Sequence, residues 1–250
     1  GRTAQFNVSS DSYYATNYAL VDEMDYETLV NQDNPLKLDE KAARNLFNLL
    51  NLDMENRVAG ILTTGSNLGG TSAVTSKWDS STAGTSDPFG DIATAKESIR
   101  STTGMEANTI ILGVEVYNAL LRHADIIDRI KYVQRGVVTV DLLASLFDVD
   151  NVYVGKSIKN GGAENLADSF SNVWGKNTVV GHFSGPDTDG KNPSLMYGFR
   201  WTNPLFGAPF AVEKWDDPDH RNFTNLRVQY YQDEKIAASE LGYLLSACVS

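Results

Sequence analysis

Apolar residues recur at helical spacing from the middle thirties onward. Asn34 is a good N-cap and Pro35 suits the first helical position. Ala43, Phe47, Leu50, Met54, Val58 and Ile61 then follow at steps of three and four. That spacing predicts one long amphipathic helix, with Lys41, Arg44, Asn48, Asn51 and Glu55 on its opposite face. About 28 residues at 1.5 Å each span roughly 40 Å, long enough to act as a spine on which other elements are laid.

The pattern then changes several times. Residues 65–86 are Gly, Ser and Thr with Trp78 standing alone, and read as a flexible surface loop. Asp87-Pro88 ends it, and Ile92, Ala95 and Ile99 mark a short helix stopping near Gly104. Residues 108–113 read as a buried strand, 114–122, 126–133 and 140–147 as helices, and 151–155 as a strand. Strand patterns follow at 177–183, 194–202 and 210–214, with a hairpin-turn signal at Asp189-Gly190. Leu226, Val228 and Tyr230 alternate, as do Tyr243, Leu245 and Ala247, which predicts two half-buried antiparallel strands. Helices and strands are segregated, with no internal repeat, so the predicted class is α+β.

Residues 1–32 fit none of these patterns. Tyr13, Tyr14, Tyr18 and Tyr26 lie among Ser, Asn and acidic residues, with little helical periodicity and Arg2 as the one cation. An extended arm or hairpin is expected. No local apolar set is available to bury the tyrosines, so they are expected to pack on something else, such as another chain.

Composition narrows the class. With 42% hydrophobic and 21% charged residues in 250, the chain can build a sizeable core, which excludes general disorder. The longest charge-free stretch, 58–76, is too rich in Gly, Ser and Thr to cross a membrane. One cysteine, Cys248, excludes an internal disulfide. The chain begins Gly1-Arg2-Thr3, as expected if numbering starts inside a longer product or an N-terminal piece is removed. A net charge of −11 argues against a dedicated nucleic-acid binder but not against a protein that encloses nucleic acid.

Candidate chemistry is thin. Asp216, Asp217, Asp219 and His220 could ligate a metal, which makes a metal-dependent hydrolase the alternative function. Asp-Pro is a turn dipeptide, however, and the expectation is a solvated turn. Asp187 and Asp189 resemble part of a calcium loop without its closing Glu. The glycine-rich run 65–72 follows a helix where a phosphate loop follows a strand. His123 and His182 have no nucleophile-elbow motif to serve. His123 is expected at a helix end, and Cys248 as a small buried hydrophobe. Arg122, Arg129, Lys131 and Arg135 beside Tyr132 read as a solvated helical face. No catalytic, cofactor-binding or metal residue is expected.

Four stretches carry a resemblance. DEKAARNLFNLLNLDMENRVAGIL (39–62), the run from DPFGD to DRIKY (87–132), VWGKNTVVGHF (173–183) and HRNFTNLRVQYYQDEKIAASELGYLLSA (220–247) resemble the major capsid proteins of tailed double-stranded-DNA phages, which share the Hong Kong 97-like fold. The resemblance rests on the order of elements across most of the chain.

It implies an arm and extended loop at 1–32, a peripheral domain with its spine helix at 33–105 closed by strands at 216–250, and an axial domain at 106–215. It implies a non-enzymatic shell protein of the virion, assembled in the host cytoplasm. Pentamers and hexamers of the chain would enclose double-stranded DNA, with scaffolding, portal and decoration proteins as further partners. A cellular nanocompartment shell of the same fold is the close alternative. Subunit contacts are expected at Tyr13, Tyr14, Tyr18, Tyr26, Lys41, Arg44, Asn222 and Asn225. Some members cross-link neighbours through a lysine on the extended loop and an asparagine near the closing strands. Asn222 and Asn225 stand where that asparagine would be, but residues 1–36 hold no lysine, so a non-covalently held arm is implied.

Overall fold

Asp87 caps the second long helix by accepting a hydrogen bond from the Gly90 N–H at 2.9 Å, Pro88 opens the helix, and Gly104 closes it at φ 74°. This is the arrangement the sequence signals there called for. The computed structural model describes residues 12–25, 27, 30–31, 37–80, 85–130, 138–162, 166–185, 192–202, 209–216 and 223–250. Elements are β1 (Thr16–Asp25), α1 (Leu38–Leu62), β2 (Gly70–Ala73), α2 (Pro88–Thr103), β3 (Thr109–Gly113), α3 (Val114–Leu120), α4 (Ala124–Ile130) and α5 (Val140–Phe147). Then come β4 (Asn151–Gly155), β5 (Ile158–Asn160), β6 (Phe170–Asn172), β7 (Thr178–Gly181), β8 (Met196–Trp201), β9 (Phe210–Asp216), β10 (Phe223–Ile236) and β11 (Gly242–Ser246). The class is α+β. The chain divides by packing into residues 1–51 with 198–235, and residues 52–197 with 236–250.

The first unit is a sheet with a helix on one face. β10 is its central strand, with β1 on one edge and β8 and β9 on the other. β1 pairs antiparallel with β10 over ten residues, from Thr16 opposite Gln232 to Asp25 opposite Phe223. Leu46 and Leu50 of α1 bury themselves against Leu226, Val228 and Tyr230, with Tyr18, Leu20 and Met24 packed at the margin. Residues 16–25 are therefore not an arm lacking a core of its own. Their partner strand lies some two hundred residues away in sequence, where no local pattern could reveal it.

The second unit carries a five-stranded mixed sheet ordered β2-β11-β7-β3-β4. The β2–β11 and β3–β4 pairs are parallel, and β7 is antiparallel to both its neighbours. α2 packs on β11 and β7, and α5 on β4. Ile92, Ala95 and Ile99 of α2 are buried at the predicted helical spacing, together with Ile110, Leu112, Val180 and Leu244 from the sheet.

Two expectations change. The glycine-rich stretch is not wholly a surface loop. It contains a strand, β2, and a fully buried Trp78 whose indole N–H donates to Asp91 Oδ2 at 2.8 Å. Small residues are needed there, because a Cβ on Gly70 would lie 2.3 Å from the Tyr243 ring. The stripe along α1 also differs. Leu46 and Leu50 are buried in the first unit, and Ala59 and Leu62 in the second, while Phe47 is 38% exposed. Two short buried sets serve two cores, and a single stripe drawn through 43, 47, 50, 54, 58 and 61 averages them. Residues 34–35, the predicted helix start, and the Asp189-Gly190 turn lie outside the described residues.

Candidate interface surfaces

Among the described residues, no group of three or more His, Cys, Asp and Glu side chains converges to hold a metal ion. Asp216 accepts a hydrogen bond from the Thr224 hydroxyl at 3.1 Å across adjacent strands. Asp217, Asp219 and His220 lie outside the described residues, as do Asp187, Asp189, Lys131, Tyr132 and Arg135.

Among the described residues, Ser86, His123 and Asp125 lie together at one site. Ser86 Oγ lies 2.8 Å from His123 Nε2, and both residues are buried. His123 Nδ1 accepts the backbone N–H of Asp125 at 3.3 Å and lies 3.9 Å from Asp125 Oδ2. His123 thereby caps the first turn of α4, at a helix end as expected. Cys248 is fully buried within the second unit, and burial pushes its thiol up to about 11. Such a thiol is a packing group and not a nucleophile.

The expected contact residues fall in several settings. Tyr13 is 55% exposed and stacks on Phe199 with ring centroids 4.6 Å apart. Tyr14 is exposed, and its backbone N–H donates to Asp233 Oδ2 at 3.0 Å. Tyr18 is half-buried and stacks on Tyr230, so most of its ring is used within its own unit. Lys41 and Arg44 are exposed, and with Asp22, Glu23 and Asp25 of β1 they line a groove of about 740 Å³. Acidic residues of β1 and basic residues of α1 thus line one groove within a single unit. Asn225 is only 7% exposed in the central strand, and its Oδ1 has no hydrogen-bond partner among the described residues. In this conformation its amide is turned into its own unit, not offered outward. Tyr26 and Asn222 lie outside the described residues.

Sequence reasoning missed a further surface in the second unit. β5 and β6 form a two-stranded hairpin bearing exposed Ile158 and Phe170. Its strands are three residues each, too short for the alternating pattern that betrays longer ones. Glu55 of α1 steadies its base, accepting from Ser157 Oγ at 2.5 Å and from the Trp174 indole at 2.8 Å.

Comparison with known proteins places this exposed apolar surface in a familiar setting. Residues 68–179 match the family model described as Phage major capsid protein E. The chain is 33% identical over 190 residues to the major capsid protein of Burkholderia phage BcepMu, a match covering 72% of this chain and 61% of that protein. The chain thus spans about three fifths of that relative's length. Among solved structures, a phage-related protein from Bordetella bronchiseptica superposes with a TM-score of 0.80 at 26% identity, covering 96% of this chain and 78% of the other. The capsid of cyanophage P-SCSP1u shares the fold at a TM-score of 0.55 and 12% identity, covering 100% of this chain and 80% of the other.

Proposed function

We propose that this chain, which belongs to the phage major capsid protein family and has its Hong Kong 97-like fold, self-assembles into pentamers and hexamers that close an icosahedral shell around double-stranded DNA. The observation that carries this is the 33% identity to a phage major capsid protein, joined to a fold match over nearly the whole chain. The role is structural, and its place is the virion. Exposed large apolar side chains, such as Tyr14, Phe170 and Tyr153, suit a subunit whose surface is mostly interface. The net charge of −11 suits a container that holds DNA by confinement instead of by affinity.

In this reading the arm and extended loop take residues 1–32, tied to their own subunit through β1 on β10, the peripheral domain takes 33–105 with 216–250, and the axial domain 106–215. The two packing units divide the same chain by contact and not by role. Scaffolding, portal and decoration proteins are the further partners the reading implies. Sedimentation of the expressed chain tests it. Species of many megadaltons support a shell, and a single species at 27.4 kDa contradicts one. Nucleic acid recovered from the particles supports the phage reading, and enzyme cargo the nanocompartment reading.

A further inference from the structure

β4 is an edge strand of the second unit's sheet, and its two ends carry unlike surfaces. Just before it, exposed Asp148 and Asp150 join Glu106 around a groove of about 390 Å³ walled by Ala107 and Ala144. This groove shares Glu106, Ala107 and Asp148 with a neighbouring hollow of about 380 Å³ that adds Phe89 and Leu146. Its two lining cations are already engaged: Lys96 on the Phe147 carbonyl at 2.9 Å and on Asp148 Oδ2 at 3.4 Å, and Arg100 on Glu97 at 2.7 Å, and among the described residues no ion pair holds Asp150. That end is carboxylate-rich, with Asn108, Ser145 and His182 also lining the groove and half-buried Phe89 and Leu146 in the adjoining hollow.

The other end is its complement. Exposed Lys156 leads into the β5–β6 hairpin, and among the described residues no ion pair holds it. Ser157 and Lys159 bond Glu55 and Asn56 of α1, so that face of the hairpin is turned to its own subunit. Strand alternation puts Ile158 and Phe170 on the opposite face, 52% and 66% exposed. In the register Ile158 faces Asn172 and Asn160 faces Phe170, which makes the two apolar residues diagonal neighbours. Five residues at ~3.3 Å each separate the two surfaces by roughly 16 Å along one strand, and exposed Tyr153 stands between them.

We propose that the outer face of the β5–β6 hairpin docks into the acidic groove at the start of β4 in a second copy of the chain. Lys156 meets Asp150 there, and Ile158 and Phe170 cover Phe89 and Leu146 of the adjoining hollow. This rests on the shell reading and names the contact that builds its rings. Complementary charge selects the pairing. Two different patches on one rigid strand give a head-to-tail contact, and a head-to-tail contact that closes gives a ring, whereas a self-complementary patch gives only a dimer.

The test uses the full chain with K156E, D150K, both together, and F170S, each checked for native circular dichroism and melting point. Assembly is read by electron microscopy and native mass at about 0.15 M salt. Each single variant is expected to stay folded and lose assembled rings by about tenfold or more. The double variant regains them, and an equal mixture of K156E and D150K chains forms even-membered rings, since opposite signs then alternate. F170S, changing no charge, also loses rings. Charge variants that assemble like wild type, or a double variant no better than the singles, overturn the docking while leaving the shell reading intact. Wild-type chain that never assembles overturns the shell reading, and the docking with it.

Discussion

Tyr18 of β1 and Tyr230 of β10 are register partners, and their rings stack with centroids 5.5 Å apart and planes inclined by 29°. A directly opposed aromatic pair is a strong unit of sheet stabilisation. Tyr230 is 1% exposed and also packs against Phe210 at 5.2 Å, so Tyr18 completes an aromatic stack inside its own subunit. Tyr18→Ala should lower stability by about 2 kcal/mol, and Tyr18→Phe by much less. Urea denaturation of the two variants checks this. Equal, negligible effects would mean that β1 does not pack as described.

Removing β1 altogether should do more than prevent assembly. Deleting residues 16–25 takes away a ten-residue ladder with Leu20 and Met24, and leaves the apolar side chains of β10 uncovered. The shortened chain should lose the cooperative unfolding of the first unit. A soluble chain with native circular dichroism and an unchanged midpoint would return residues 16–25 to the status of a detachable arm.

On the spine helix, the burden falls on Leu50 and not on Phe47. Leu50 is 3% exposed among Leu226, Val228 and Tyr230, while Phe47 is 38% exposed with one edge contact to Phe210 at 4.8 Å. Leu50→Ala should cost about 2–5 kcal/mol, and Phe47→Ala about 1 kcal/mol. Chemical denaturation midpoints would show the order, and a reversed order would mean the buried face is wrongly placed.

These two sites show what the sequence made legible. Local signals worked where both the signal and its cause were local. Asp87, Pro88 and Gly104 bounded α2, and Ile92, Ala95 and Ile99 gave its buried face. β3, β4 and β11 showed themselves as short apolar or alternating runs. Signals failed where the partner was distant or the residues were small. Tyr18 needs Tyr230, β2 is a strand because Gly70 fits under Tyr243, and α1 changes cores midway. Of the expected contact residues, exposed tyrosines and cations could be read from composition. The burial of Asn225 in a central strand could not, because polar residues carry no periodic mark of facing inward.

Cys248 supplies a pH-dependent readout. Burial raises its thiol from 9.0 to about 11, so the folded state keeps the proton that the unfolded chain gives up. Its contribution is complete below about pH 9 and is lost as the pH rises towards 11, up to roughly 2–3 kcal/mol. Cys248→Ala should therefore flatten the fall in stability over that window relative to wild type. At neutral pH the native thiol should resist a thiol-specific reagent until denaturant is added. Prompt labelling of native protein would contradict its burial.

Assembled particles should lack covalent cross-links from the arm. Residues 1–36 contain no lysine, an isopeptide needs a free amine, and the guanidinium of Arg2 stays protonated. Particles boiled in detergent with reductant should give one band at subunit mass. A ladder of resistant oligomers would show that a lysine elsewhere reaches a neighbouring subunit.

The central claim is that this chain builds a closed shell, and a negative-stain electron micrograph of the purified chain tests it most directly. The account expects uniform, closed, roughly spherical particles, with rings of five and six subunits visible where assembly is incomplete. A field of dispersed subunit-sized molecules, from protein that is folded and stable on its own, would contradict it.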